Sequence, residues 1–303
     1  MGVSGGDTPE GVTLRPAEHE DHEAVVAFTR DTWQETTDYI PDVYHDWIEG
    51  EHRQTIVADA GDDIAGIAQA VMLSTTEAWM QGLRVNPAFR GAGVSAAVTR
   101  ALFDWAREQG AVVARNMVFS WNEAGMGQSR SLGYEPVTEF RWAHPDPTPG
   151  ADLPATVETD PAAAWSFWTD SEARQRLGGL GLAMDESWAM RELRPGLLDR
   201  AAAETALLVV VEKTGTRGLA YRTRTVERDD NERLAEYGVG AWTDHEAAET
   251  LLRAVAVDAV DCGADRTRVL IPEHPRPVSD VAALRSELAA HPDLVFAADL
   301  TGH

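Results

Sequence analysis

"GLRVNPAFRGAGVSAA" (82–97) joins the end of an apolar strand, a proline stop, an arginine, two closely spaced glycines and a run of small helix formers. A strand leading through glycines into a helix turns several free backbone N–H groups, and the positive end of the helix dipole, toward one spot. That spot suits a phosphate. Gly91 and Gly93 let the main chain approach without Cβ interference, Ala92 and Ser95 keep the walls low, and Arg90 adds a charge-assisted donor. Across 82–100 the chain carries Arg84, Arg90 and Arg100 and no acid, a basic island on an acidic protein. A nucleoside-triphosphate loop is excluded because no Gly-Lys-Ser/Thr follows. "GAGVSA" (91–96) satisfies the dinucleotide pattern only formally: "NPAF" intervenes after the strand, and the next strand, "VVARNMVFS" (112–120), ends without the required acid.

Outward from this turn, residues 18–31 place Val25, Val26 and Phe28 on one side of a helix, and 55–75 reads as two apolar strands around "GDD". In the following strand Glu77, Trp79, Gln81, Leu83 and Val85 share one face by period two, which makes Gln81 a polar intruder. Residues 94–109 form an alanine-rich helix, 110–120 a strand, 122–133 a short helix closed by Gly133, and 137–144 a last strand. After a proline-rich linker (146–156) much of this plan recurs: 206–226 matches the hairpin, and 234–272 gives strand, turn, helix and strand again. The predicted architecture is an α/β fold with a mixed sheet, used twice, over 12–145 and 157–303. In the second copy "NPAFRGAG" has become "TDHE" (243–246), so this turn should repel the anion that the first one binds.

The chain of 303 residues is 44% apolar, long enough for two ordinary domains. Fifty acidic residues face 26 basic ones, of which Lys213 alone is a lysine. This excludes nucleic acid as a natural partner. Acids scattered through every segment suit a salt-rich interior, where hydrated carboxylates maintain solubility and salt screens their repulsion; a docking surface for a basic partner would predict one acidic block. No apolar run approaches the roughly 18 residues of a membrane span and "MGVSGGDTPEGV" lacks signal-peptide regions, so a cytoplasmic protein without membrane partners is expected. The single cysteine, Cys262, excludes an internal disulfide. His19 and His22 form one exposed helical turn, and no metal site is expected.

"LRVNPAFRGAGVS" (83–95) resembles the Arg/Gln-x-x-Gly-x-Gly/Ala signature of the GNAT superfamily of N-acetyltransferases. "NEAGMGQSRSLGY" (122–134) extends the match with Asn122 and the Gly133-Tyr134 pair. The resemblance implies a GNAT acyl-CoA N-acyltransferase domain over 12–145, followed by a degenerate GNAT-like copy over 157–303. It implies acetyl-CoA as co-substrate, with the amides of Gly91, Ala92, Gly93, Val94 and Ser95 cradling the pyrophosphate beside Arg90. Backbone groups of Leu83, Arg84 and Val85 would pair with the pantetheine arm, with Asn122 also on the coenzyme side. Family members often carry a glutamate base on this strand; Glu77 and Gln81 occupy the corresponding face, and Gln81 cannot take a proton. The tyrosine that usually protonates the departing thiolate is replaced by Ser129, expected near the sulfur. The acceptor pocket would come from 31–54, dense in Trp33, Tyr39, Tyr44, His45 and Trp47, with Asp38 and Asp42 able to hold an ammonium. "DYIP" (38–41) taken with "GLRV" resembles a branch that includes histidine N-acetyltransferases, whose acid before "GLRV" is Gln81 here. The expected activity is acetyl transfer to a primary amine of a small molecule or peptide. Two alternatives stay open: a coenzyme A sensor without catalysis, or an interaction protein using the acidic second half, which could also pair two chains into a homodimer.

Overall fold

A computed structural model describes residues 8–30, 32, 38–213, 215–227 and 231–302. The first half runs β1 (Thr13–Pro16), α1 (His22–Thr29), α2 (Ile40–Ile48), β2 (Arg53–Asp59), β3 (Ile64–Met72), β4 (Glu77–Val85), α3 (Val94–Glu108), β5 (Val113–Phe119) and α4 (Glu123–Ser131). The second runs β6 (Glu135–His144), β7 (Thr156–Glu158), α5 (Pro161–Asp170), α6 (Glu172–Arg176), β8 (Leu180–Leu182), β9 (Met190–Glu192), α7 (Pro195–Glu204), β10 (Ala206–Glu212), β11 (Gly215–Glu227), β12 (Arg233–Trp242), α8 (His245–Asp261), β13 (Arg266–Pro272), α9 (Pro275–Ala283), β14 (Glu287–Leu288) and β15 (Asp293–Asp299). The architecture is α/β with mixed sheets, as the periodicity predicts.

Two compact units interleave along the chain. Unit 1 contains residues 1–116, 127–135 and 297–303; unit 2 contains 117–126 and 136–296. In unit 1 strands pair in the order β1-β2-β3-β4-β5, antiparallel as far as β4 and parallel between β4 and β5. Alternation along β3 divides its side chains between two faces. Ile67 joins Val25, Ile40, Tyr44, Trp47 and Val57 in the core under α1 and α2. Gly66 faces the other way, where a Cβ would meet a methyl of Val94 on α3 at 2.9 Å, so only glycine lets the helix lie this close. α3 buries Val94, Ala97, Val98, Ala101 and Leu102, the stripe expected of an amphipathic helix. Each Val or Leu buried this way contributes about 1.5–3 kcal/mol. Tyr134 is buried against Phe103, a core residue rather than a reactive one.

Unit 2 repeats the plan. Its strand order is β6-β13-β12-β11-β10-β7, with β12 and β13 parallel and the other pairs antiparallel. α8 packs Leu251, Leu252, Val255 and Ala259 on one side of the sheet, and Cys262 caps its C-terminus half-buried. Short elements between 157 and 205, none of which the sequence reading resolved, supply α5, α7 and the β8–β9 hairpin. β6 follows the last helix of the first half yet pairs with β13 inside unit 2. Conversely, the Leu300 N–H donates to the Val112 carbonyl at 3.0 Å inside unit 1. Each unit therefore takes a closing segment from the other half of the sequence.

Candidate active site

β4 is not the regular strand that period two predicts. Its register with β3 runs Gly66↔Val85 and Ile67↔Arg84, then resumes at Gln69↔Gln81. Ala68 thus opposes two residues, Gly82 and Leu83, a β-bulge that re-aims the side chains beyond it. The expectation that Leu83 and Val85 share the face of Gln81 is overturned, because the extra residue puts Arg84 there instead. Gly82 adopts φ +64°, and a Cβ on it would overlap the Trp47 ring, so glycine is demanded by both backbone and packing. On its other edge β4 pairs with β5 only from Glu77↔Val113 to Trp79↔Arg115. The bulge lies beyond the last of these pairs, on a stretch of strand open to another hydrogen-bonding partner.

Past β4 the chain breaks at Asn86, whose side chain accepts from the Ala88 N–H, and enters the glycine turn. Gly91 and Gly93 both have positive φ, +80° and +86°, and Gly93 is the N-cap of α3 without any side-chain cap. Gly91, Ala92 and Gly93 are exposed, and a Cβ on either glycine would meet nothing within 4 Å. Ala92 donates to the Phe89 carbonyl and Ala97 to that of Gly93. The N–H groups of Gly91, Gly93, Val94, Ser95 and Ala96 have no acceptor among the described residues. Arg90 is exposed beside them. This is an electropositive notch of main-chain donors facing solvent, the arrangement a diphosphate requires.

The remaining sequence-derived candidates divide into those near this strand and those committed elsewhere. Glu77 is 3% exposed, and its oxygens take hydrogen bonds from Arg115 (2.7 Å) and Ser74 (3.0 Å). It starts β4, about 16 Å from Gly82 at roughly 3.3 Å per residue, so its position argues for an ion pair anchoring the strand rather than for a base. Gln81, next to the bulge, donates to Gln69 at 2.7 Å. Asp38 is buried and locked to Arg84 (2.6 Å to Nε), while also accepting from the Ile40 N–H; it neutralises that arginine instead of holding an ammonium. Tyr44 is buried with its hydroxyl on the Glu18 carbonyl, and burial pushes its phenol well above the usual range. It is a core residue. Tyr39, by contrast, is 45% exposed, edge-on to Trp47 at 5.8 Å and 5.6 Å from the Arg84 guanidinium, and remains on the surface near the bulge. Trp33 lies outside the described residues.

Ser129 is buried on α4, its hydroxyl accepting from Asn116 at 3.2 Å. Asn122 caps the same helix through the Gly125 N–H. Among the described residues no group of three or more His, Cys, Asp or Glu side chains is placed to hold a metal ion. Two features escaped the sequence reading. The bulge had one signal, a glycine interrupting a run of strand formers at 82. α2, which brings Trp47 over that glycine, was hidden in a segment of mixed polarity, although Pro41 at its first turn marks a helix start.

Residues 19–134 match the family model described as Acetyltransferase (GNAT) family. Among solved structures, the chain is similar to the GCN5-related N-acetyltransferase from Sphaerobacter thermophilus, at 15% identity and TM-score 0.66, over 97% of each chain. It is also similar to a tandem GNAT protein from the clavulanic acid biosynthesis pathway, at 13% identity and TM-score 0.59, over 96% of this chain and 99% of that one. At such identities the likeness carries the fold and nothing finer. No curated protein matches the chain. Residues 19–134, which hold the glycine turn and the bulged strand, thus form a domain of the GNAT acetyltransferase family, and the whole chain shares the fold of two-domain GNAT structures.

Proposed function

We propose that the chain is an N-acetyltransferase that moves the acetyl group of acetyl-CoA to a primary amine, working in a salt-rich cytoplasm. The observation that carries this reading is the set of N–H groups of Gly91, Gly93, Val94, Ser95 and Ala96, without acceptors among the described residues, at the start of α3, beside Arg90 and far from any carboxylate in sequence. These groups fit a pyrophosphate, and the strand edge around Leu83 to Val85 fits an extended pantetheine arm. When bound, acetyl-CoA supplies an activated thioester.

The chain's own residues then have three tasks. The bulge at Gly82 and Leu83 lies on the stretch of β4 that β5 leaves unpaired, where main-chain donors would stabilise charge gained by a thioester oxygen, stabilisation that counts most in a desolvated site. Trp47, buried against Gly82, fixes the bulge, and Tyr39, exposed edge-on to it, offers an apolar surface to the acceptor. The nitrogen–carbon bond forms as the carbon–sulfur bond breaks, the amine's proton passes to water, and the thiolate regains one from solvent. The proton passes to water because, among the described residues of this strand and its neighbours, Gln81 is an amide, Glu77 is engaged at the far end of the strand and Asp38 is held by Arg84.

That last point favours a second reading, a coenzyme A sensor. Both are tested by incubating the protein at high salt with acetyl-CoA and L-alaninamide, spermidine or kanamycin, and following released thiol. Amine-dependent thiol release is expected; saturable coenzyme binding without it establishes the sensor.

A further inference from the structure

Gln69 on β3 is fully buried, and its surroundings allow its amide one orientation. Its Nε2 donates to the Trp47 carbonyl at 2.8 Å and to Thr55 Oγ1 at 2.9 Å, while Thr55 itself donates to the same carbonyl at 2.7 Å. That carbonyl lies in the last turn of α2, where backbone acceptors lack helical partners. A main-chain carbonyl can only accept, so the NH2 group of Gln69 must face α2 and its Oε1 must face Gln81. Gln81 answers with its Nε2, 2.7 Å away. Polarity is thus transmitted from the end of α2, across β3, to the β4 residue preceding the bulge.

We propose that Gln69 is a positioning residue that fixes the Gln81 amide as donor on its inner side, so that position 81 requires a neutral side chain and excludes a carboxylate base. A carboxylate there would set oxygen against the Gln69 oxygen in a buried setting, where an unpaired acceptor is costly. The catalytic consequence rests on the acetyltransferase reading: the acceptor must arrive as the free amine, which favours amines of low basicity. An α-amino group, with a pKa of about 8, has a far larger neutral fraction near neutral pH than an ε-amino group at about 10.4. The acceptors favoured are therefore weakly basic amines, α-amines among them, over ε-amines.

The test compares Q81E, Q81M and the double variant Q69L/Q81E in the full chain by thermal unfolding from pH 5 to 8.5. Arg84, on the same face, is already paired with Asp38, so a carboxyl facing the Gln69 oxygen has its folded-state pKa raised, and its stability contribution is present at low pH and lost as pH rises through that value. Q81E should match Q81M near pH 5 and fall behind it progressively toward pH 8.5, whereas Q69L/Q81E should lose this slope. Q81E as stable as the parent at pH 8.5 overturns the proposal. A Q81E chain that fails to fold while Q69L/Q81E folds is the same result in stronger form; failure of both overturns it. In the thiol-release assay, Q69L should raise the KM for L-alaninamide at least threefold with the acetyl-CoA Kd unchanged, and Q81E should not gain kcat at any pH. A faster Q81E overturns the proposal. A parent protein that releases no thiol with any amine sinks the acetyltransferase reading and leaves the unfolding comparison to decide the polarity lock.

Discussion

At Gly93 the first turn of α3 leaves its N–H groups to solvent, whereas at Asp244 the first turn of α8 is closed by its own chain. The Asp244 carboxylate accepts from the Ala247 N–H at 3.0 Å and pairs with Arg217. Burial alone would raise the Asp244 carboxyl, but those hydrogen bonds outweigh it and hold the group below the usual carboxylate range. The two turns follow the same kind of strand in the same kind of fold. One leaves its main-chain donors open to an external anion; the other has internalised its anion. The bulges behind them tell the converse story. In β12 the register also shifts, between Ala220↔Gly240 and Arg222↔Tyr237, and a Cβ on Gly238 would overlap the Tyr221 ring just as one on Gly82 would overlap Trp47. Packing of an aromatic ring on a bulge glycine therefore occurs in both units, while open donors at the helix start occur in one.

The largest expected effect breaks the feature that the units share. Gly82→Ala forces a Cβ into the Trp47 ring at a positive φ and should cost about 2–4 kcal/mol of unfolding free energy, measured by denaturant titration, with acetyl transfer abolished. Gly238→Ala should cost a comparable amount but leave the acetyl-CoA Kd unchanged. The next probes the difference: Gly93→Asp puts bulk and charge at the notch and should raise that Kd at least about tenfold, or about 1.4 kcal/mol by calorimetry. An unchanged Kd removes the coenzyme assignment. Smaller again, Asp244→Ala should remove about 1 kcal/mol of stability without creating a second coenzyme site. Because the Asp244 pKa is depressed on folding, that deficit should hold above about pH 4 and fade as acid protonates the carboxyl. Arg90→Ala, at an exposed position, should weaken coenzyme binding by only about threefold, an effect that shrinks in molar salt.

The glycine turn, the helix behind it and the repeat of the plan were legible in the sequence because each is written locally, as spacing and periodicity. The bulge was not, since period two carries straight through "EAWMQGLRV" and only the pairing with β3 shows the extra residue. Asp38 and Tyr44 read as pocket groups from their company, yet the structure gives each a partner, Arg84 and the Glu18 carbonyl, that no local pattern announces. Gln81 had the opposite fate. It read as a base replaced by an inert amide, and its meaning emerged only with Gln69 across the sheet.

The interleaving of the units bears on how the chain comes off the ribosome. Unit 1 owns residues 297–303, which are synthesised after nearly all of unit 2, and unit 2 owns β6, which is made before the rest of its own sheet. Nascent protein must therefore hold a partly closed first unit open to late completion, and a cut at the proline-rich linker would deprive both pieces of a segment each needs. Gene fragments bounded there should give aggregation-prone halves rather than a working catalytic module.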